Sequence, residues 1–306
     1  MSSDSVPVHI ELEEATHSIA LDYFSKKVLL GTSSGKVMLQ TLNAESRPEK
    51  TIEIYAHRSP VSSLDWAHPS FGELFASCDF DGIVKIWERS PSDDEFRCID
   101  EKSLGSSATS LRFCPSEYGC SFAVSSSNGR ITIFTKSPDG HFSNDTSFAA
   151  HEGGCNSLSW APSTPPTSLV HPGIRNPSPM RICTGGSDSH VCIWRFNGRL
   201  WECECKLDGH RGAVTHVEFC PSIGMPGMKL VSCSADKSVI IWTSFQQTLQ
   251  HWEKQPIVFD EIPHKATWSE TGDIIAISRG LNKVILIKEG IDGAWSLLKE
   301  LEQEEA

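Results

Sequence analysis

The sequence predicts an all-β fold, a six-bladed β-propeller that forms a single domain over residues 1–306. The first observation is a run in which an Asp, a tight turn and a short apolar strand end on an aromatic residue. This run reads DGIVKIW at 81–87, DSHVCIW at 188–194 and DKSVIIW at 236–242, with a weaker copy, NGRITIF, at 128–134. The aromatic residues that end these runs lie roughly 45–60 residues apart. Four-stranded propeller blades repeat at about 40–50 residues, so each run marks one blade.

A histidine and another apolar stretch precede each full copy of this run. His57, His151 and His210 each stand before a tight turn that leads into SSLDW, NSLSW or THVEF. Short segments in which apolar and polar residues alternate, separated by turn residues, are typical of antiparallel sheet. We therefore predict four strands in each unit. Weaker copies extend the frame back to Gln40 and forward to Ile287. The predicted blades cover about 15–45, 55–100, 105–148, 150–207, 209–255 and 262–301.

The composition suits a soluble globular protein and disfavours several functions. A formal net charge of −12 repels a phosphate backbone, so we expect no direct nucleic-acid binding. No apolar run is long enough to insert in a membrane, and the N-terminus lacks the basic and apolar regions of a signal peptide. The eleven cysteines show no C-x-x-C spacing and are predicted to be small buried hydrophobes in a reducing compartment. We expect no metal, no cofactor and no catalytic residue.

The repeated units resemble WD repeats, and the resemblance covers nearly the whole chain. In that family a His, a Ser or Thr, an Asp and a Trp form a hydrogen-bonded tetrad within a blade. The resemblance implies three such tetrads, which are His57, Ser77, Asp81 and Trp87; His151, Thr184, Asp188 and Trp194; and His210, Ser232, Asp236 and Trp242. An ionised Asp accepts several hydrogen bonds, and a buried indole N–H needs an acceptor. A catalytic His–Asp pair is the alternative, which is disfavoured because three copies occur and none has a nucleophile.

The outer repeats depart from this pattern. Ser34 and Gln40 stand where the first repeat would carry Asp and Trp, and Leu281 and Ile287 stand there in the sixth. The third repeat has a serine pair at 106–107 in place of a clear His. Either edge blades tolerate drift, or strands from a partner supply some of the stability there.

The N-terminal stretch VPVHIEL alternates like a strand and would place Val6, Val8, Ile10 and Leu12 on one face. In closed propellers such a strand usually completes the last blade, but the sixth repeat has a fourth strand of its own near 294–299. An unpaired strand is an edge that needs cover, so the sequence suggests an open ring that another chain completes beside residues 1–14. A disordered tail or a different division of the last blade are the alternatives.

Longer stretches resemble one particular family. WAHPSFGELFASCDFDG (66–82), GGCNSLSWAPS (153–163), CPSIGMPGMKLVSCSADKSVIIWT (220–243) and KEGIDGAWSLLKEL (288–301) are similar to the Sec-thirteen family. That family is the WD-repeat subunit shared by the COPII outer coat and the Y-shaped complex of the nuclear pore. The Pro-rich loop at 163–180 lies where the family carries an insertion.

The resemblance implies a non-catalytic scaffold of the COPII coat, in transport from endoplasmic reticulum to Golgi, and of the outer ring of the nuclear pore. The implied partners are the large COPII outer-coat subunit, a helical solenoid that inserts a blade into an open propeller, and a scaffold nucleoporin of the Y complex. The implied locations are cytoplasmic vesicle coats and the nuclear envelope. The alternatives are the related small WD-repeat nucleoporin (Seh-one-like), or a closed WD-repeat substrate receptor of a ubiquitin-ligase or chromatin complex.

Overall fold

A computed structural model of the chain describes residues 14–302 apart from 91, 93–94, 166–167, 169–177, 222–223, 225, 246–250 and 281–282. These residues form six four-stranded sheets, and in each sheet the strands lie side by side in chain order. Four-stranded sheets repeated in this way are propeller blades, so the predicted all-β, six-bladed fold is confirmed. The candidate strand at 6–12 and most of the Pro-rich loop at 163–180 lie outside the described residues.

The first three blades contain β1–β12. The first blade consists of β1 (Thr16–Leu21), β2 (Lys27–Thr32), β3 (Lys36–Leu42) and β4 (Pro48–Tyr55). The second consists of β5 (Val61–Trp66), β6 (Leu74–Asp79), β7 (Ile83–Arg89) and β8 (Phe96–Ser103). The third consists of β9 (Ala108–Phe113), β10 (Ser121–Ser126), β11 (Arg130–Lys136) and β12 (Phe142–Ala149).

The last three blades contain β13–β24. The fourth consists of β13 (Cys155–Trp160), β14 (Arg181–Gly186), β15 (Val191–Phe196) and β16 (Trp201–Leu207). The fifth consists of β17 (Val214–Phe219), β18 (Met228–Ser234), β19 (Ser238–Ser244) and β20 (Glu253–Val258). The sixth consists of β21 (Pro263–Trp268), β22 (Ile274–Arg279), β23 (Lys283–Glu289) and β24 (Trp295–Glu302). Short 3-10 turns occur at Pro69–Phe71 and Ser116–Tyr118.

The observed blades differ most from the blades predicted from the sequence in where the fourth strand lies. The first blade was predicted to end near residue 45, but β4 belongs to it and pairs with β3 along its length. All eight residues of β4 are exposed or half-buried, because it is the outermost strand of its sheet. Its charged PEKTIEIY sequence therefore lacks the apolar run that marks the inner strands. The last blade contains its own outermost strand, since β24 pairs with β23.

Two compact units divide the chain, Met1–Phe113 with Lys136–Ser143 and Cys114–Thr135 with Asn144–Ala306. In the first unit, Leu29 and Val37 of the first blade pack with Leu64, Phe75 and Trp87 of the second. In the second unit, similar apolar layers join the fourth blade to the fifth and the fifth to the sixth. The core of each unit therefore lies between the flat faces of neighbouring blades. The assignment of all 306 residues to one domain stays a prediction.

The tight turn between the second and third strands of some blades lies close to the segment that leads into the next blade. Gly129, with a φ of 80°, is the clearest case, because a Cβ there would lie 1.9 Å from the backbone oxygen of His151. The amide of His151 donates to the Gly129 carbonyl at 3.1 Å. Only glycine combines this left-handed conformation with such a close backbone approach.

The cysteines are all free thiols, and most of them are buried. Burial raises the pKa of Cys78 to about 12, which makes this thiol unreactive. Cys98 and Cys203 are exposed, contrary to the expectation that the cysteines are buried hydrophobes. Both lie on fourth strands, where a side chain that points outwards meets solvent.

Candidate functional site

The fifth blade joins its four tetrad side chains in one chain of hydrogen bonds. The hydroxyl of Ser232 lies 2.7 Å from Nε2 of His210, and the indole Nε1 of Trp242 donates to the same hydroxyl at 2.8 Å. Nδ1 of His210 lies 3.2 Å from a carboxylate oxygen of Asp236. That carboxylate also accepts the amide of Arg211 at 2.8 Å. The turn after β18 is thus tied to the segment that enters the blade.

The fourth blade repeats this arrangement with a threonine. Nε2 of His151 lies 2.7 Å from the Thr184 hydroxyl, which also accepts the indole N–H of Trp194 at 3.0 Å. Nδ1 of His151 lies 3.0 Å from Asp188. Gly186 stands beside the ring, and a Cβ there would lie 2.3 Å from Nδ1. A small residue at this place therefore leaves room for the His–Asp contact.

The second blade uses a different acid from the one expected. His57 contacts the Ser77 hydroxyl at 2.7 Å, and Trp87 donates to that hydroxyl at 3.0 Å. The carboxylate 3.0 Å from Nδ1 of His57 is that of Asp79, and Asp81 is exposed. Asp79 ends β6, is 2% exposed and accepts the amide of Ile83 at 2.8 Å. The assignment of Asp81 to the tetrad is therefore wrong, because the buried side chain at the strand end reaches the ring.

Burial sets the protonation of these histidines. It lowers the pKa of His57, His151 and His210, although the neighbouring carboxylates oppose that effect. A neutral ring protonated at Nδ1 satisfies every partner, because Nδ1–H donates to the carboxylate while Nε2 accepts from the hydroxyl. Desolvation acts against the charge of Asp236, but hydrogen bonds from Ser238 and the Arg211 amide hold its pKa down at about 2. In the fourth and fifth blades the tetrad is thus a neutral histidine beside an ionised acid, since the pKa of Asp188 is also lowered.

Two weaker blades, the third and the first, depart from this pattern. In the third blade, Asn128 takes the place of the acid and accepts from the Ser126 hydroxyl at 2.7 Å. Phe134 stacks on Phe122 with ring centroids 5.2 Å apart and needs no acceptor. In the first blade, Gln40 is 5% exposed, and its Oε1 is buried without a hydrogen-bond partner. The first blade therefore has no equivalent of the Ser–Trp hydrogen bond.

The first blade exposes apolar residues that its neighbours bury. The inner strands share one register, with an irregularity just before the third residue, which makes Ile19 the equivalent of Leu64. Ile19 is 53% exposed and Leu21 is 55% exposed. The equivalents of Ile19 in the other blades are at most 1% exposed, and they are Leu64, Leu111, Leu158, Val217 and Ala266. We call Ile19 and Leu21 the first-blade face.

Adjacent inner strands are linked by a serine in three places. The hydroxyl of Ser18 accepts the amide of Leu64 at 3.1 Å, and that of Ser63 accepts the amide of Leu111 at 3.0 Å. Ser157 accepts the amide of Val217 at 3.2 Å. In these three pairs the inner strand offers an acceptor to the next one along the chain. Ile19 occupies the position of Leu64, Leu111 and Val217, whose amides are the donors, in the first inner strand of the chain.

The last blade is apolar on both sides, but one side is poorly covered. Ile275, Ile277, Ile285 and Ile287 pack on the fifth blade and are at most 5% exposed. On the opposite side, Ile274, Ala276, Val284 and Leu286 are half-buried. The residues of the fifth blade that correspond to the last three of these are at most 1% exposed, and they are Val231, Val239 and Ile241. We call this half-buried side the last-blade face.

Sequence reasoning placed the partner-binding residues at Val6, Val8, Ile10 and Leu12, which lie outside the described residues. It missed the first-blade and last-blade faces. A usable signal was present, because β22 and β23 read IIAIS and KVILI, with apolar residues at successive positions. Such runs are typical of strands that are covered on both faces.

Within the described ranges, no group of three or more His, Cys, Asp or Glu residues is close enough to hold a metal ion. No helix in the described part of the chain is long and apolar enough to cross a membrane.

Comparison with known proteins gives consistent matches. The family model for the WD domain, G-beta repeat, matches residues 47–88 and 201–243. A Sec-thirteen homolog of Drosophila melanogaster is 32% identical over 292 residues, which is 94% of this chain and 81% of that protein. Protein transport protein sec-thirteen of Emericella nidulans is 33% identical over 304 residues, which is 95% of this chain and 96% of that protein. The protein of that name from Cryptococcus neoformans is 31% identical over 329 residues, with 98% of both chains covered.

Proposed function

Because the chain belongs to the Sec-thirteen family of WD-repeat proteins, we propose that it is a non-catalytic scaffold subunit that acts in protein transport. Two relatives carry the name of a protein transport protein, which supports this role. The three His–Asp pairs support a structural use, because each histidine is already engaged by a hydroxyl as well as by the acid. We propose that these tetrads stabilise single blades and take no part in a reaction.

The observation that carries the proposal is the exposure of Ile19 and Leu21 on an inner strand. An apolar inner strand of a propeller is stable in water when a neighbouring sheet covers it. We infer that a partner covers the first-blade face and the last-blade face. A partner that packs a blade of its own on such a face buries apolar surface, and a strand that it adds to a free blade edge gains backbone hydrogen bonds.

The proposed partner is the large outer-coat subunit of COPII vesicles, a helical solenoid that contributes the seventh blade of an open propeller. A scaffold nucleoporin of the Y complex is the second proposed partner at the same faces. The chain would then work on vesicle coats at the endoplasmic reticulum and at nuclear pores. Its function would be to stiffen the joint at which the solenoid meets the propeller.

Affinity capture from cell lysate tests this proposal, with quantitative mass spectrometry of stoichiometric partners. The tagged wild type is compared with an Ile19→Asp/Leu21→Asp double variant. Leu200→Asp is the control, because Leu200 is an apolar residue of the fourth blade that is 45% exposed. We expect the wild type and the control to recover the coat subunit, the nucleoporin or both, and the double variant to lose them.

Two results would contradict the proposal. Recovery of a ubiquitin-ligase or chromatin assembly in place of a coat or pore protein would indicate a closed propeller with another role. Equal recovery of the coat subunit by the double variant would show that the first-blade face does not bind it.

A further inference from the structure

We propose that a groove between the fifth and the sixth blade binds a segment of a partner protein in which an aromatic side chain is flanked by basic residues. The groove has a volume of about 330 Å³ and lies between the outermost strands of these blades, β20 and β24. Its apolar lining is formed mainly by six residues, which are Ile257, Val258, Phe259, Ile287, Trp295 and Leu297. We call it the inter-blade groove. It lies on the side of the sixth blade opposite to the last-blade face, so this inference does not depend on the proposed function.

The inter-blade groove occurs where the sixth repeat lacks the residues of a tetrad. Ile287 is the fifth residue of β23, as Trp242 is the fifth residue of β19. Phe259 lies four residues before the start of β21, as His210 lies four residues before the start of β17. Apolar Ile and Phe side chains therefore stand at two places where a complete blade has Trp and His.

The indole of Trp242 shows what fills the corresponding space in the fifth blade. Its ring lies against Gly209, because a Cβ on that glycine would be 2.7 Å from Cη2 of Trp242 and 2.9 Å from Cδ1 of Ile240. By the same register, the sixth blade has Val258 and Ile285 at the positions of these two neighbours, and both line the inter-blade groove. The residue that replaces Trp242 is an isoleucine, which is smaller. The groove therefore includes space that an indole fills in a complete blade.

The walls of the groove favour an aromatic side chain. Phe259 and Trp295 are partly buried and pack on the apolar layer between the two blades. Two other lining residues are largely exposed, Leu297 at 63% and Val258 at 76%. Aromatic rings pack favourably on one another edge to face or offset, with centroids about 4.5–7 Å apart. A partner ring in the groove would meet two rings and cover apolar groups that water contacts in the free chain.

The charged groups at the groove carry an excess of negative charge. The guanidinium of Arg279 forms ion pairs with Asp260 and Glu300, and all three residues line the groove. The Glu300 carboxylate raises the pKa of Arg279 most, and Asp260 and Glu261 add to this effect. Lys237 supplies a second cation, whose ammonium donates to the backbone carbonyl of Asp260 at 3.0 Å. Three carboxylates thus face two cations, so basic residues beside the aromatic side chain are favoured and acidic ones are repelled.

The test uses the full-length chain and three acetylated tripeptide amides as probes, Lys-Trp-Lys, Lys-Ala-Lys and Glu-Trp-Glu. Binding is followed by NMR of the isoleucine δ1 methyl groups, because Ile257, Ile285 and Ile287 line the groove. We expect Lys-Trp-Lys to shift these three methyl signals in a saturable way and to bind roughly tenfold more tightly than either other probe at about 50 mM NaCl. Its advantage over Glu-Trp-Glu should shrink at about 300 mM NaCl, because salt screens the carboxylates.

An isoleucine-to-tryptophan pair of variants provides the matched comparison. Ile287→Trp returns an indole to the tetrad position and fills the groove, so it should lose the binding of Lys-Trp-Lys. Ile291→Trp is the control, because Ile291 is fully exposed in the turn before β24 and lies outside the residues that line the groove. This control should bind as the wild type does. Urea unfolding shows whether both variants fold.

Four results would overturn the inference. The first is the absence of a saturable shift at the three methyl groups in the wild type, a readout that does not depend on the folding of Ile287→Trp. The second is wild-type affinity of a folded Ile287→Trp for Lys-Trp-Lys, and the third is equal affinity of the wild type for Lys-Trp-Lys and Glu-Trp-Glu. The fourth is a dimer in sedimentation velocity that Ile287→Trp dissociates, because the groove would then serve self-association.

Discussion

Ile19 and Leu64 occupy the same position on neighbouring inner strands, but Ile19 is 53% exposed whereas Leu64 is fully buried. Their strands β1 and β5 lie side by side, because the amide of Leu64 donates to the Ser18 hydroxyl at 3.1 Å. Leu64 thus has the first blade against it, and Ile19 faces outwards. The repeat places an apolar residue at both positions, and the exposure of Ile19 is the reason why we propose that a partner covers this face.

Truncation of these two residues should have unequal effects on the isolated chain. Leu64→Ala should lower the free energy of unfolding by about 3–5 kcal/mol, because it opens a cavity between two blades. Ile19→Ala should change it by about 0.5 kcal/mol or less. Urea unfolding of both variants measures the difference. Similar losses for the two variants would show that Ile19 is also covered in the free chain.

Replacement of each of the two acids in the second blade tests which one belongs to the tetrad, Asp81 as the sequence predicted or Asp79 as the structure shows. Asp79→Ala should destabilise the chain by about 2–4 kcal/mol, because it leaves His57 and the Ile83 amide without their acceptor. Asp81→Ala, at an exposed position, should cost about 0.5 kcal/mol or less. Thermal and urea unfolding would show the order, and a larger loss for Asp81→Ala would restore the tetrad expected from the sequence.

The hydroxyl at the centre of the fourth-blade tetrad can be removed with little change of volume. Thr184→Val should cost about 2–4 kcal/mol, because both His151 and Trp194 lose a partner in a buried site. Thr184→Ser keeps the hydroxyl and should cost about 1 kcal/mol, from the lost methyl group. Equal unfolding free energies for the two variants would mean that packing stabilises the fourth-blade tetrad and that its hydrogen bonds contribute little.

Two glycines with the same backbone conformation differ in their surroundings. Gly129 and Gly153 have φ of 80° and 79°, but a Cβ at Gly153 would meet nothing within 4 Å. Gly153→Ala should cost about 1–2 kcal/mol from the left-handed conformation alone. Gly129→Ala should cost about 2 kcal/mol more, because its Cβ would collide with the His151 backbone oxygen. The same unfolding free energy for both variants would contradict this close approach.

The buried histidines predict a stability that falls in mild acid. Burial lowers the folded pKa of His210 below its ordinary 6.5, so the unfolded chain takes up the proton first as the pH falls. The stabilisation is complete above about pH 7 and declines as the pH drops through 6.5. Asp236, with a folded pKa of about 2 against an ordinary 3.8, adds a loss at lower pH. Urea unfolding from about pH 8 to 5 should show the decline, and His210→Gln should reduce its slope. A wild-type stability that does not change over this range would contradict the assignment of neutral histidines.

The repeat was predictable because its signals are local. A histidine, an apolar strand and a terminal tryptophan recur along the chain, and the side chains of His151, Thr184 and Trp194 meet as the resemblance to WD repeats implies. The choice between Asp79 and Asp81 was not predictable in the same way. Both stand in one tight turn, DFDG, and the choice depends on which carboxylate reaches the ring of a histidine more than twenty residues away.

The exposed faces were harder to predict for a different reason. An apolar strand reads the same whether a neighbouring blade covers it or not, so Ile19 and Leu64 are equivalent in sequence. Burial by other parts of the chain distinguishes them, and only the folded arrangement shows it. The fourth strand β4 was not assigned to the first blade from the sequence, because it is charged and its apolar and polar residues alternate only weakly.

Hydrogen exchange of the backbone amides, measured on the free chain and on its complex with the coat subunit, tests the central claim most directly. The amides of β1 and of β21–β24 should exchange faster in the free chain and become protected in the complex, while those of the fourth blade should change little. Protection of these strands that is already complete in the free chain, or new protection confined to other blades, would contradict the proposal that a partner covers the first and sixth blades.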